Sequence, residues 1–314
     1  MASKEEIRSS PVKPVTFSGI LYGLIRTMRP HQWTKNGFIF AGIVFDGQLF
    51  ILESFARVMA AFILLCLVAG SVYIINDLAD VEADRLHPRK RFRPIASGQL
   101  PIPLARLVGI LLPSAAIVLA TLLSWQFGVV LLAYYLLQVA YSLRLKHVVL
   151  VDLVVIVLGF IMRVGAGVLV ISVEAFSPWL YACTATLALF LIVGKRRQEL
   201  LLLAEKAGNV RVTLDEYNLP LLDELLRISV VGTMLTYLFY AVEAPSELLA
   251  GTNMALLTVP FVWYGIARYL YLIHVKGEGS APDEVLLKDR SLQISIIAWA
   301  AVCVLVLYVV PRVV

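Results

Sequence analysis

The sequence of 314 residues is poor in charge and in cysteine. Charged residues make up 16% of it and hydrophobic residues 60%, whereas about a quarter of a soluble globular domain is charged. The three cysteines lie in apolar runs, and neither they nor the four histidines show metal-binding spacing. This excludes a disulfide scaffold and a zinc site. No basic face with interleaved aromatic residues occurs, so we expect no nucleic-acid partner despite the net charge of +5.

The beginning of the chain also lacks the features of a secretory signal. Residues 1–20 are polar, and they contain neither the apolar core nor the small-residue cleavage site of a signal peptide. We therefore expect residues 1–20 to be a flexible cytoplasmic tail and residues 21–314 to be a single membrane domain.

The sequence is rich in apolar runs, several of about 20 residues, which is the length that spans a bilayer. They predict an all-α fold, a polytopic transmembrane bundle of nine helices. The first run is short, and we expect it to continue from an amphipathic stretch over 21–29. The nine runs cover residues 33–44, 51–75, 104–123, 127–142, 150–171, 178–193, 222–242, 256–273 and 294–310.

Lysine and arginine are concentrated on one side of the predicted bundle. If the N-terminus is cytoplasmic, the outer side keeps only Arg57 and Arg312, as the positive-inside rule requires. The long loops at 77–103, 194–221 and 274–293 then lie on the cytoplasmic side. An active site is expected to open to the cytoplasm.

Three aspartates and an asparagine follow the second apolar run. At 100° per residue they fall within an arc of about 100° on one helix face. Unpaired carboxylates at a membrane boundary repel one another, a divalent cation relieves that repulsion, and hard oxygen ligands favour Mg²⁺. We predict that the three aspartates bind Mg²⁺, with Mn²⁺ as a substitute. The four residues are Asn76, Asp77, Asp80 and Asp84.

A basic loop follows this cluster immediately. Pro88, Pro94 and Gly98 restrict its shape, and its cations beside a metal site suit a pyrophosphate group. The loop residues that we predict to bind substrate are His87, Lys90, Arg93 and Ser97.

Arg163 lies deep in the fifth apolar run. A charge at that depth is a candidate for function, and substrate binding is one interpretation. The alternative is a buried ion pair with an acid of a neighbouring helix.

The pattern NDxxDxxxD at 76–84, followed by RPIASG at 93–98, resembles the first aspartate-rich motif of the UbiA superfamily of intramembrane prenyltransferases. The resemblance covers the chain from about residue 20. It implies a UbiA-like bundle of nine helices with cytoplasmic active-site loops.

The sequence departs from the aromatic prenyltransferases of that superfamily at their second acidic motif. Residues 194–200 read GKRRQEL, with cations where a DxxxD-like motif would hold a second Mg²⁺. This is similar to the decaprenyl-phosphate phosphoribosyltransferase branch. Further likeness to that branch lies in RPHQWTKN at 29–36, HPRK at 87–90, YSLRLK at 141–146 and DRSLQ at 289–293.

The resemblance implies a reaction and its partners. Phosphoribosyl pyrophosphate would donate 5-phosphoribose to a polyprenyl (decaprenyl) phosphate in a bacterial plasma membrane, as a step towards a lipid-linked sugar precursor of the cell wall. A homo-oligomer is compatible with this. The residues implied in substrate binding, besides Asn76 and the loop residues, are Lys35, Tyr141, Lys146, Lys195, Arg196 and Glu199.

Two alternatives remain open from the sequence. One is prenyl transfer from a prenyl pyrophosphate to an aromatic acceptor, against which residues 194–199 argue. The other is a carrier or channel. Carriers more often have broken helices with sites at the midplane, whereas the charged clusters here lie at helix ends.

Overall fold

The computed structural model describes residues 16–171, 173, 176–205, 216–243, 253–278, 285–286 and 288–309. Within these ranges the chain is helical and contains no β-strand. Eight of the described helices are long and apolar enough to cross a membrane. The predicted all-α membrane bundle is confirmed, and the predicted count of nine helices is approximate.

The long helices follow one another along the chain, with the shortest connection, Ser124 alone, between the fifth and the sixth helix. The helices are α1 Phe17–Met28, α2 Ala41–Phe45, α3 Leu52–Ala79, α4 Val81–Leu86, α5 Ile102–Leu123, α6 Trp125–Leu143, α7 Val151–Ile171, α8 Pro178–Glu205, α9 Leu219–Glu243, α10 Val259–His274 and α11 Arg290–Val304. Their alternation brings the end of α3, the start of α7 and the end of α8 to one side of the bundle. We call this side the aspartate end, because it carries Asp77 and Asp152.

The first predicted run, 33–44, is not a continuous α-helix. Helix α1 stops at Met28, and the chain then forms a 3-10 segment over Pro30–Phe40 before α2. The break falls at Arg29, whose φ of 52° and ψ of 65° are left-handed, and Pro30 disfavours α geometry in the residue before it. In the described residues, the bundle thus contains eight candidate spans and one segment, residues 30–45, in which a 3-10 helix and α2 replace a continuous α-helix. We call residues 30–45 the broken segment.

Helix α1 also begins earlier than the predicted boundary at residue 20. Thr16 caps it by accepting a hydrogen bond from the backbone N–H of Gly19, and the helix starts at Phe17. The rest of the predicted tail, residues 1–15, lies outside the described residues.

The broken segment packs very closely against α7. A Cβ atom on Gly167 would lie 1.8 Å from the carbonyl oxygen of Ile39, and one on Gly42 would lie 3.0 Å from the backbone nitrogen of Val168. Only glycine allows the two backbones to approach to this distance. Small residues at such contacts are typical of helix packing in membranes.

Half-buried charged groups pair with backbone at the helix ends. At the end opposite the aspartates, Arg57 donates to the carbonyl oxygens of Leu123 and Val170 at 3.1 and 2.9 Å, which pairs free carbonyls at the ends of α5 and α7. At the aspartate end, Asp289 caps α11 through the backbone N–H of Leu292 at 2.8 Å. Hydrogen bonds from Arg268 lower the pKa of Asp289 below its usual range.

Candidate active site

Two buried aspartates, Asp77 at the end of α3 and Asp84 in α4, share one cation. Arg93 Nη1 lies 3.2 Å from Asp77 Oδ1 and 2.6 Å from Asp84 Oδ2. The predicted single helical face is interrupted, because α3 ends at Ala79 and α4 starts at Val81. Asp77 and Asp84 nevertheless face the same guanidinium, so the two carboxylates are brought together.

Asp80 lies at the break between these helices. Its φ of −93° and ψ of 3° end α3, and it is only half-buried. Asn76 donates a hydrogen bond from Nδ2 to Asp80 Oδ2 at 3.3 Å. All four residues of the predicted face therefore belong to one cluster, with Asp80 at its more exposed edge.

Arg29 is a member of this cluster that the sequence did not single out. Its Nη2 donates to Asp77 Oδ1 at 2.7 Å, and its guanidinium lies 4.7 Å from the centroid of the Tyr73 ring. The available signal was an arginine before a proline, at the end of the amphipathic stretch. That signal does not give the direction of the side chain, which depends on the left-handed backbone at Arg29.

The basic loop is held by its own backbone. The amide of Leu100 donates to the carbonyl of Pro94 at 2.8 Å, and Gly98 has a φ of 80°, which glycine adopts without strain. His87 Nδ1 accepts the backbone N–H groups of Arg89 and Lys90 at 3.1 and 3.2 Å.

Of the four predicted loop residues, Arg93 is the one that contacts the carboxylates. His87, Lys90 and Ser97 are exposed, and the Ser97 hydroxyl donates to the Pro94 carbonyl at 3.3 Å. These three residues lie in the same loop as Arg93, and their side chains are open to solvent.

The donor set fits a divalent metal in its chemistry. Two buried carboxylates close enough to bond to one guanidinium nitrogen could hold one metal ion, and their oxygens are hard ligands. In the described part of the chain, however, no three His, Cys, Asp or Glu residues are arranged around a common metal position. The arginines hold the carboxylates instead.

A second charged group lies at the start of α7 and the end of α8. Arg196 Nη2 donates to Asp152 Oδ2 at 3.1 Å, and Tyr217 donates to Asp152 Oδ1 at 2.7 Å. Asp152 is fully buried, and the Arg196 side chain is 3% exposed. Burial, together with its hydrogen bond to Asp152, raises the pKa of Tyr217 above its usual range.

Arg196 is therefore inside the bundle, and not on the surface where a phosphate would meet it first. Its Nη1 donates to Glu199 Oε2 at 2.9 Å. Glu199 in turn lies 3.9 Å from Lys195 Nζ, and both are partly exposed. The sequence did not relate Arg196 to Asp152, which lies 44 positions away.

The remaining predicted residues at this end are Tyr141 and Lys146. Tyr141 lies on the last turn of α6, is half-buried, and interacts electrostatically with Arg196. Lys146 lies in the 3-10 turn Leu145–His147 that follows and is also half-buried. Tyr141 thus adjoins the buried group formed by Asp152 and Arg196.

Arg163 lies near the middle of α7 and contacts the broken segment. Its Nε donates to Asn36 Oδ1 at 2.9 Å, and its Nη2 donates to the Tyr134 hydroxyl at 2.7 Å. A third hydrogen bond reaches the carbonyl of Gly159 at 2.7 Å. No Asp or Glu among the described residues forms an ion pair with it, so the alternative of a paired acid finds no support there. Lys35, one residue before Asn36, donates to Gln32 within the same segment.

The chain is similar to known proteins over most of its length. Residues 37–282 match the profile described as the UbiA prenyltransferase family. Decaprenyl-phosphate phosphoribosyltransferase of Corynebacterium glutamicum is 33% identical over 294 residues, which cover 92% of this chain and 88% of the relative. The protein of the same name from Mycolicibacterium smegmatis is 33% identical over 293 residues, covering 89% and 91%.

A solved structure shares the fold. It is a UbiA homolog from Archaeoglobus fulgidus bound to GPP and Mg²⁺, with a TM-score of 0.66 and 16% identity, covering 91% of this chain and 99% of that one. At this identity the likeness concerns the fold alone.

Proposed function

The chain belongs to the UbiA prenyltransferase family, and from this premise we propose that it transfers 5-phosphoribose from phosphoribosyl pyrophosphate to a polyprenyl (decaprenyl) phosphate. The observation that carries this proposal is the 33% identity to two proteins named decaprenyl-phosphate phosphoribosyltransferase, over about nine-tenths of the chain. The cations at the end of α8, where aromatic prenyltransferases are expected to have acids, support the same substrate class.

The proposed reaction does not require the protein to transfer a proton. The bond between C1 of the ribose and the pyrophosphate oxygen breaks, and an oxygen of the polyprenyl phosphate forms the new bond to C1. The acceptor phosphate is ionised and is already a nucleophile, so a general base is not required. The protein must instead hold a pyrophosphate and two separate phosphates together and stabilise the departing pyrophosphate.

The aspartate cluster is the proposed metal site. Asp77, Asp80 and Asp84 would hold Mg²⁺, with Mn²⁺ as a substitute. The ion would neutralise charge on the leaving pyrophosphate. Asn76 supports Asp80 through its hydrogen bond, and Arg93, His87, Lys90 and Ser97 would bind pyrophosphate oxygens from the adjacent loop.

Further cations would hold the remaining phosphates. Lys195 is partly exposed beside Glu199. Tyr141 lies on the last turn of α6, and Lys146 lies in the turn that follows. We assign Lys195, Lys146 and Lys35, with the Tyr141 hydroxyl, to the 5-phosphate of the donor and the phosphate of the lipid, and Glu199 to an uncharged part of the substrate. Arg196 then acts by positioning Glu199, since its own guanidinium is buried. Arg163 would bind substrate from within the bundle, beside Asn36.

The proposed setting is a bacterial plasma membrane, with the N-terminus and the active site in the cytoplasm. The soluble donor would enter from that side, and the lipid tail would remain in the bilayer. Residues 21–314 form one domain in this proposal, and a homo-oligomer is compatible with it. The product would be a lipid-linked sugar precursor for the cell wall.

The decisive experiment uses purified protein with labelled phosphoribosyl pyrophosphate, decaprenyl phosphate and Mg²⁺. Transfer of the ribose label to the organic phase, which disappears with EDTA, is the expected result. The opposite result is protein that ignores this donor and moves a prenyl group from its pyrophosphate to an aromatic acceptor. That result would establish the alternative UbiA reaction.

A further inference from the structure

Two of the three acids of the aspartate cluster differ in exposure from the two arginines that pair with them. The side chains of Asp77 and Asp84 are 2% and 3% exposed, whereas those of Arg29 and Arg93 are 26% and 25% exposed. The acids are therefore enclosed by the protein, and the cations reach them from its more open side.

A buried carboxylate needs a cation in every state of the protein, because an unpaired buried charge is strongly destabilising. Arg29 and Arg93 meet this need when no metal is bound. A divalent ion on the same oxygens would supply the charge itself, and it would repel guanidinium groups at hydrogen-bonding distance. The metal and the arginines are therefore alternative partners of the same carboxylate oxygens.

Arg29 lies outside the regular helices, and 26% of its side chain is exposed, so the side chain has room to turn. Its left-handed backbone is unfavourable for a residue other than glycine, and α1 has already ended at Met28. Pro30 begins the next segment, so Arg29 lies at a junction between two elements. Its guanidinium also rests on the Tyr73 ring, which offers a contact outside the carboxylates.

We propose that Arg29 and Arg93 are exchangeable counter-ions, which hold Asp77 and Asp84 in the metal-free protein and turn to phosphate oxygens when metal and pyrophosphate bind. The inference rests on the proposed function, from which it takes the metal site. A metal ion alone must displace the arginines and binds weakly. With pyrophosphate present, the released guanidinium groups gain new oxygen partners, so metal and pyrophosphate bind cooperatively.

The test measures Mn²⁺ binding to the full-length purified protein by electron paramagnetic resonance, with and without pyrophosphate. Arg29→Gln should bind Mn²⁺ alone at least about tenfold more tightly than wild type, because one charge-assisted hydrogen bond no longer has to be broken. Pyrophosphate should then raise its Mn²⁺ affinity less than it does in wild type. Arg26→Gln removes the same charge from an exposed position of α1 and should leave both quantities near wild type.

Folded Arg29→Gln protein that binds Mn²⁺ no more tightly than wild type would overturn the exchange. If this variant does not fold, Arg29→Lys replaces it. Lysine keeps the charge but lacks the planar fork of donors, so the gain in Mn²⁺ affinity from pyrophosphate should shrink, and an unchanged gain would overturn the exchange. A failure of the proposed metal site would be distinguishable from a failure of the exchange. Mn²⁺ binding that persists in the Asp77→Asn, Asp84→Asn double variant would refute the metal site of the proposed function.

Discussion

At the scale of single residues, α4 contains a natural comparison between two acids. Asp84 is buried and bound to Arg93, whereas Glu82 is exposed and paired with Arg85. We expect Asp84→Asn to lower the rate of ribose transfer by about two orders of magnitude or more, because a metal ligand is lost and removing one such electrostatic contact has effects of this size. Glu82→Gln should keep nearly full activity. Equal activity of the two variants in the transfer assay would contradict the role of Asp84.

A second comparison concerns stability. Asp152 pairs with Arg196 inside the bundle, whereas the partly exposed Asp223 pairs with Arg197 at 2.6 Å. Asp152→Asn leaves the buried guanidinium of Arg196 without one of its counter-ions and should cost about 3–5 kcal/mol. Asp223→Asn should cost about 1 kcal/mol or less, because water screens its pair. Thermal unfolding in detergent checks this, and a larger loss for Asp223→Asn would refute the ranking.

The contacts of these residues show which parts of the site can be predicted from sequence and which cannot. The aspartate cluster was predictable, because its members lie within nine positions and helix geometry relates them. Arg29 and the pairing of Arg196 with Asp152 were not, because each contact joins positions more than 40 apart. Their geometry depends on tertiary packing and, for Arg29, on a break in the backbone.

At the scale of helices, the apolar runs predicted which helices exist, but they predicted less well where each helix ends. The run at 178–193 stops at the first charges, yet α8 continues to Glu205. The helix persists because Arg196 and Gln198 turn inward, to Asp152 and to the carbonyl of Ile273. Hydropathy treats such residues as solvent-exposed, and only their partners explain why the helix does not end.

The broken segment gives a prediction at the same scale. A methyl group on Gly167 would collide with the Ile39 carbonyl at 1.8 Å, whereas one on Gly165 would meet the Tyr181 side chain at an ordinary 3.9 Å. We expect Gly167→Ala to separate α7 from the segment, lower the unfolding temperature and reduce activity. The cost should reach the 1–3 kcal/mol of an overpacked core, or more.

Gly165→Ala is the matched control in the same helix. It should be neutral or slightly stabilising, because alanine has the higher helix propensity. Thermal unfolding of the two variants side by side measures the difference. A stable, active Gly167→Ala protein would mean that the segment can move away from α7 without loss.

At the scale of the whole molecule, charged groups at different depths of the bundle have different kinds of partner. The aspartate cluster and the Asp152 group both lie at the aspartate end, whereas the mid-membrane cation Arg163 bonds to neutral partners in the described residues. This arrangement suits a reaction in which a soluble donor meets a lipid at the membrane boundary. It requires the aspartate end to face the compartment that contains the donor.

That requirement leads to the prediction of orientation. Single cysteines at Ala83 in α4 and at Gln126 near the start of α6 would lie at opposite ends of the bundle, and both positions are exposed. The native cysteines give little background, because all of them are buried: Cys66, Cys183 and Cys303. In intact cells, a membrane-impermeant maleimide should label Gln126→Cys and leave Ala83→Cys unlabelled. After permeabilisation both should react, which controls for accessibility. The reverse pattern would place the aspartate end outside the cell, away from phosphoribosyl pyrophosphate, and would refute both the predicted topology and the proposed donor.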